Sequence, residues 1–278
     1  MRSAGCVFVG VVFAAILFLG GHMTVLTSQK PASAADAPAA TSARVAWLIF
    51  VDDLHLDFVS TGRLRDVLRT AASMLGEGPA LVGVQSSGPS RVSLSPSTDL
   101  VGRDAAIRRI IGNGLRPSDF LVGNAPGATR ELRDRAHTSL SALASAVASL
   151  ASAATPKKHI IYVSNGFAVV QPVQRGTLLP PGVNPSVAFI DDAEIRDELA
   201  RVAQVSLDSG VTISALDPRP YLPSGQELLT VDPDLWQRFV DASRETLREL
   251  TTPTGGALLD GRQPLRDALL ELRAGVQQ

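Results

Sequence analysis

The sequence predicts a three-layer α/β fold: a doubly wound, mostly parallel six-stranded sheet with one antiparallel edge strand and helices on both faces. Three observations predict it. Val45–Val51 (VAWLIFV) is apolar at every position, as a strand buried on both faces of a parallel sheet must be. From there to the C terminus, strand-like and helix-like segments alternate in the order β-α-β-β-α-α-β-α-β-α-β-α, the signature of a wrapped parallel sheet. A single hairpin signal, Ser86-Ser87-Gly88-Pro89, interrupts the alternation and supplies the antiparallel edge.

Taken in order, the first helix is expected from Ser60 or Thr61 to about Leu75. Either residue can cap it, and Leu64, Val67, Leu68, Ala71 and Leu75 form one stripe before Gly76, Gly78 and Pro79 break it. Residues 80–85 read as a second strand. Residues 91–95 alternate around Val92 and Leu94 and read as its hairpin partner. Ser97-Thr98-Asp99 opens a helix through Ile107, Ile110 and Ile111, with Arg103, Arg108 and Arg109 on a solvated face and Gly112-Asn113-Gly114 as its stop. Residues 115–127 read as irregular. A long helix over 129–154 carries Leu132, Ala136, Leu140, Leu143, Val147 and Leu150, and 159–163 (HIIYV) is another buried strand. After a Pro/Gly-rich loop at 172–185, a helix from Asp191 to Gly210 carries Ile195, Leu199, Val202 and Val205. Val211–Leu216 (VTISAL) is a strand, 233–250 a helix with Leu235, Phe239, Ala242 and Leu250 inward, 257–259 a short strand, and 264–272 a closing helix. No internal repeat is visible.

The N terminus is organised differently. Residues 6–21 (CVFVGVVFAAILFLGG) are unbroken apolar, preceded by Arg2 and followed by small and polar residues that include Ala32-Ser33-Ala34. This is the pattern of a secretory signal cut after Ala34, so 1–34 is a leader, 35–43 a flexible Ala/Pro/Ser/Thr-rich lead-in and 44–278 the folded domain. The alternative is an uncleaved anchor: extended to Leu26, the run of about 21 residues is long enough to span a bilayer. Both readings place the domain outside the cytoplasm, with membrane contact only through 6–26. Cys6, the single cysteine, lies inside the run, so the domain has neither a disulfide framework nor a thiolate metal cluster.

Composition excludes further classes. With 278 residues, 45% hydrophobic and net charge −1, the domain has a sizeable core and is not disordered. Lys+Arg (26) and Asp+Glu (27) cancel without a basic run, and aromatics are only 5%, which argues against a nucleic-acid partner. In a parallel sheet the binding crevice opens outside the carboxyl ends of the strands. The segments there are Asp52-Asp53-Leu54-His55-Leu56-Asp57, Ser164-Asn165-Gly166-Phe167 and Asp217-Pro218-Arg219.

From about Arg44 to Ala274, the chain resembles a von Willebrand factor A domain of the divergent bacterial kind. The marks are LIFVDD, the hairpin followed by SPSTD and a helix, the long helix leading to KKHIIYVSNGF, then VTISALDPR and LTTPTGGALL. The resemblance implies a non-enzymatic module that binds a protein ligand, often through a divalent cation at the top of the sheet. The family pattern there is Asp-x-Ser-x-Ser, a Thr before the long helix and a later Asp. Carried over, Asp52 takes the first position, Leu54 and Leu56 replace the two serines, Thr129 is the candidate threonine, and Asn165 stands for the later Asp. Losing ligands and charge implies a weakened or absent Mg²⁺ or Ca²⁺ site, with Asp53 and Asp57 as compensating carboxylates. The ligand-contact rim implied is Asp52, Asp53, His55, Asn165, Phe167 and Asp217.

Two other readings share these residues. Asp53-Leu54-His55 resembles the opening motif of calcineurin-like metallophosphoesterases, which makes a metal-dependent hydrolase using Asp53, His55 and Asp57 the alternative. The other motifs of that family are not matched: Gly123-Asn124 is followed by Ala125, and Gly112-Asn113 by Gly114. A purely structural envelope domain is the third reading, in which Asp52 and Asp53 receive the following helix, His55 is a loop side chain and Asn165-Gly166 a turn pair. No nucleophile elbow or phosphate-binding loop follows any strand.

Overall fold

The computed structural model describes residues 44–121, 127–169, 193–222 and 231–277. All belong to one compact unit, Ala40–Gln278. The leader, the lead-in at 35–43 and the loop at 172–185 lie outside the described residues.

The expected α/β architecture is present. Six strands, β1 (Val45–Val51), β2 (Ala80–Ser86), β3 (Ser93–Ser97), β4 (Lys157–Val163), β5 (Val211–Leu216) and β6 (Leu258–Leu259), form one sheet in the order β3-β2-β1-β4-β5-β6. All neighbours pair in parallel except β2 and β3. Every residue of β1 is buried, because its two faces feed two cores. Ala46, Leu48 and Phe50 pack with α4 (Ala128–Ala151), α5 (Ala193–Asp208) and α6 (Pro233–Thr251). Val45, Trp47, Ile49 and Val51 pack with α1 (Thr61–Leu75), α2 (Leu100–Arg109) and α7 (Leu265–Gln277). On this second face the Trp47 and His159 rings lie 4.8 Å apart. Trp47 Nε1 and His159 Nδ1 have no hydrogen-bond partner among the described residues.

Several boundaries differ from the sequence expectation, each for a local reason. The edge strand β3 sits two residues later than expected because its pairing with β2 shifts between Val82 and Val84. The strand crosses so closely there that a Cβ on Gly83 would lie 2.5 Å from the Leu94 carbonyl. Pro96 is tolerated because an edge strand can lack one donor. Asp99 caps α2 by accepting from Gly102 N at 2.9 Å, and the helix stops at Arg109, where Ile110 turns extended into the core. Within 115–127, read as irregular, Pro117–Leu121 forms a short helix, α3, with proline in the first position where its missing N–H costs nothing. Arg103 was expected on a solvated face, yet it is only 6% exposed. Its guanidinium covers Gly76, where a Cβ would stand 2.8 Å from Nη1, and burial lowers its pKa.

Candidate functional site

The parallel registers align Val51 with Val163, and Val163 with Leu216, so the segments that follow β1, β4 and β5 emerge at one edge of the sheet. The ladder continues past the strands: Asp52 N donates to Val163 O, Ser164 N to Leu216 O and Asp217 N to Leu259 O. The strand order reverses between β1 and β4, the topological switch point at which open α/β sheets place their crevice.

Asp52 is the centre of this edge and is wholly buried. Its Oδ2 accepts from Tyr162 Oη at 2.7 Å, Ser164 Oγ at 2.8 Å and His55 Nδ1 at 2.8 Å. Ser87 Oγ lies 3.0 Å from Asp52 Oδ1 and 2.9 Å from Asp53 Oδ1, so two buried carboxyl groups share one hydroxyl. Burial raises the Asp52 pKa, but the adjacent His55 and the bonds from His55, Tyr162 and Ser164 outweigh it and hold the value below 3.8. An ionised carboxylate only accepts, so the chain of hydrogen bonds has a direction. Tyr162 spends its proton on Asp52, and Ser139 Oγ, 3.1 Å from Tyr162 Oη, donates to it. Burial and the Asp52 charge push the Tyr162 pKa well above 10. Ser164 donates to Asp52 and accepts from Gly166 N at 2.9 Å.

The loop from Asp53 to Asp57 is held from three sides. Asp53 Oδ2 accepts from Ser90 N at 2.7 Å, and its carbonyl accepts from Asn113 N at 2.7 Å. Arg135 of α4 donates to the carbonyls of Leu54 and Asn113. Asp57 accepts from Val59 N, Ser60 N and Ser60 Oγ at 3.1–3.2 Å and so caps the chain as it enters α1. The approach of 112–114 to this loop requires Gly112, whose Cβ would stand 2.3 Å from Asp57 O.

The structure thus brings Asp52, Asp53, His55 and Asn165 to one edge, with Asp52 and Asp53 beneath the surface. Phe167 is a core residue, 2% exposed, with its ring 5.4 Å from that of His55. Asp217 is also buried, and two arginines neutralise it: Arg219 Nε at 2.8 Å and Nη2 at 3.0 Å, and Arg244 Nε at 2.8 Å. It also accepts from Arg219 N and so orients the turn after β5. Thr129 lies in the first turn of α4, with its side chain outside the described residues. The sequence reading placed Ser164 in a crevice segment without giving it a role, and it missed Ser87, Ser139, Tyr162 and Arg135 as parts of the site. Tyr162 had a signal, the lone hydroxyl in the apolar end IIYV of its strand; Arg135 had none.

These residues do not fit a resident divalent cation. Oδ2 of Asp52 already serves three donors, Leu54 and Leu56 offer no oxygen, and Leu56 is in the core. Asp53 and Asp57 are engaged by Ser87 and Ser90, and by Val59 and Ser60. Among the described residues, no group of three or more His, Cys, Asp or Glu is placed to hold a metal. Two polar atoms of the site stay unsatisfied: His55 Nε2 and Asn165 Oδ1 are buried and have no hydrogen-bond partner among the described residues. Following the loop in sequence, Phe58 is 66% and Val59 62% exposed, and Ile111 is 45% exposed. Among the described residues, no helix is long and apolar enough to cross a membrane. No protein-family model matches the chain, and no curated protein matches it.

Proposed function

We propose that this chain is an exported, von Willebrand factor A-like module that binds another protein, without catalysis, at the edge where β1 and β4 end. One observation carries the reading. A buried network around Asp52 fixes the 52–57 loop at the switch point of the sheet, and that loop leads directly into exposed Phe58 and Val59. An exposed aromatic held at the end of a rigid loop is the kind of side chain that anchors a protein partner. A hydrolase would need ligands converging on metal, whereas the carboxyls of Asp53 and Asp57 are spent on the protein's own donors. The export part of the proposal rests on residues 1–34, whose apolar run and Ala32-Ser33-Ala34 have the form of a secretory leader.

The test is capture of partners from the envelope fraction of the source cell by immobilised wild type, Phe58→Asp and Asn165→Leu. The proposal expects proteins retained by the wild type and lost by both variants. Identical captures by all three, or none by the wild type, would refute it.

A further inference from the structure

We infer that the cavity beneath α7 takes an apolar monocarboxylate, its carboxyl group held by Lys157, His159 and Thr212. The site lies on the second face of the sheet and does not depend on the binding edge proposed above.

The residues of β5 alternate. Val211, Ile213 and Ala215 face the first core, whereas the opposite face carries Thr212 and Ser214 before Leu216. A strand face sealed by a helix is apolar, as it is on β1, where Trp47, Ile49 and Val51 enter the second core. Helix α7 leans against α1 and leaves the polar stretch of β5 unsealed. The result is a cavity of about 870 Å³ between α7, the face of β4 and β5, and the segment 255–263 that carries β6. This is the size of a small-molecule site.

One end of its floor suits an anion. Lys157, His159 and Thr212 all line the cavity. Lys157 and His159 leave β4 on the same face, and the register sets Thr212 opposite His159. Lys157 Nζ donates to the Val276 carbonyl, which leaves two of its three N–H groups to spare. Among the described residues no carboxylate pairs with it. Among the same residues His159 Nδ1 has no hydrogen-bond partner. Burial and the Lys157 charge lower the His159 pKa to about 4, so the ring is neutral at pH 7 and still carries one N–H. An ammonium, an imidazole and a hydroxyl therefore adjoin with no carboxylate between them. The acidic groups that line the cavity are engaged on other elements: Asp260 faces Arg262 at 3.2 Å, and Glu271 accepts from Gln263 Nε2 at 2.8 Å. A single ammonium matches a monoanion, and its charge-assisted bond is the strong one of the three. Leu259, Ala268, Leu272 and Val276 supply apolar wall for a hydrocarbon body.

The experiment is calorimetric titration of the full chain with sodium n-octanoate at pH 7, beside proton–nitrogen spectra of the protein with labelled histidine. Binding should saturate and shift the His159 ring signals, leaving those of His55 and His137 unmoved. Octan-1-ol has the body without the charge, n-octylammonium has the opposite charge, and acetate has the charge without the body. Each should bind about tenfold more weakly or worse. Lys157→Met keeps the stem, removes the ammonium and should weaken octanoate about tenfold. Thr212→Val and His159→Phe each remove one donor at nearly constant shape and should weaken it about fivefold. Phe58→Asp, which tests the binding edge, should take octanoate as the wild type does. Octanol binding as tightly as octanoate, an unchanged affinity in folded Lys157→Met, unmoved His159 signals, or no binding at all would overturn the inference.

Discussion

His159 sets a stability slope with pH that can be worked from its surroundings. The half-buried ring lies 4.8 Å from that of Trp47 at a tilt of 44°, its Nδ1 has no partner among the described residues, and Lys157 lies two residues away in the same strand. Burial, and then the Lys157 charge, push its pKa from 6.5 down to about 4. Between those values the unfolded chain binds a proton that the native protein excludes, so stability rises with pH across the window from about 4 to 6.5. At pH 4.5 the penalty is about 2–3 kcal/mol, most of the roughly 3 kcal/mol implied by the full displacement. The perturbation is His159→Phe, which keeps a ring against Trp47 and removes the titration. Urea unfolding of both proteins by far-ultraviolet circular dichroism at pH 7.5, 6.5, 5.5 and 4.5 gives the comparison. On acidification the wild type should lose about 2–3 kcal/mol relative to the variant. Asp52 acts in a separate window: its lowered pKa contributes stability above 3.8 that disappears only as pH falls below it, and it does so equally in both proteins. Parallel curves, or a variant that loses more than the wild type, would refute the reasoning.

Other perturbations test other parts of the account. Asp52→Ala leaves the buried donors Tyr162 and Ser164 without their acceptor, and denaturant titration should show a loss of about 3–5 kcal/mol. Calorimetry with Mg²⁺ and with Ca²⁺ should give no saturable heat in the wild type, since the Asp52 oxygens are already occupied. Gly256→Ala should cost about 3 kcal/mol or more, because its Cβ would stand 1.8 Å from the Ile213 carbonyl oxygen. Gly62→Ala, with no atom within 4 Å of its Cβ in α1, should instead stabilise by about 0.5–1 kcal/mol, and thermal melts of the two variants should move in opposite directions.

Much of the fold was legible because burial on both faces leaves an unmistakable trace. β1 and the IIYV end of β4 lack the alternation that water on one side would impose, and Gly or Pro clusters bound the helices. What was not legible depends on partners distant in sequence. Charge suggested solvent for Arg103, but Gly76, with no side chain, lets the guanidinium lie across it. The shift of β3 comes from a close crossing over Gly83 that its own five residues do not announce. The same holds at the site. Asp52 and His55 stand out after an apolar strand, but Tyr162 reaches Asp52 only because the β1–β4 register sets Phe50 opposite Tyr162. Ser87 arrives from the β2–β3 hairpin and Ser164 from the end of β4. A resemblance carried over position by position saw missing metal ligands there, whereas the structure fills the Asp52 oxygens with protons from four side chains.

The most direct test of the binding edge is amide hydrogen exchange of the full chain, alone and with a partner retained in the capture experiment. The account expects added protection at 52–60, 110–114 and 164–167. Protection confined to other segments, or none at these three, would contradict it.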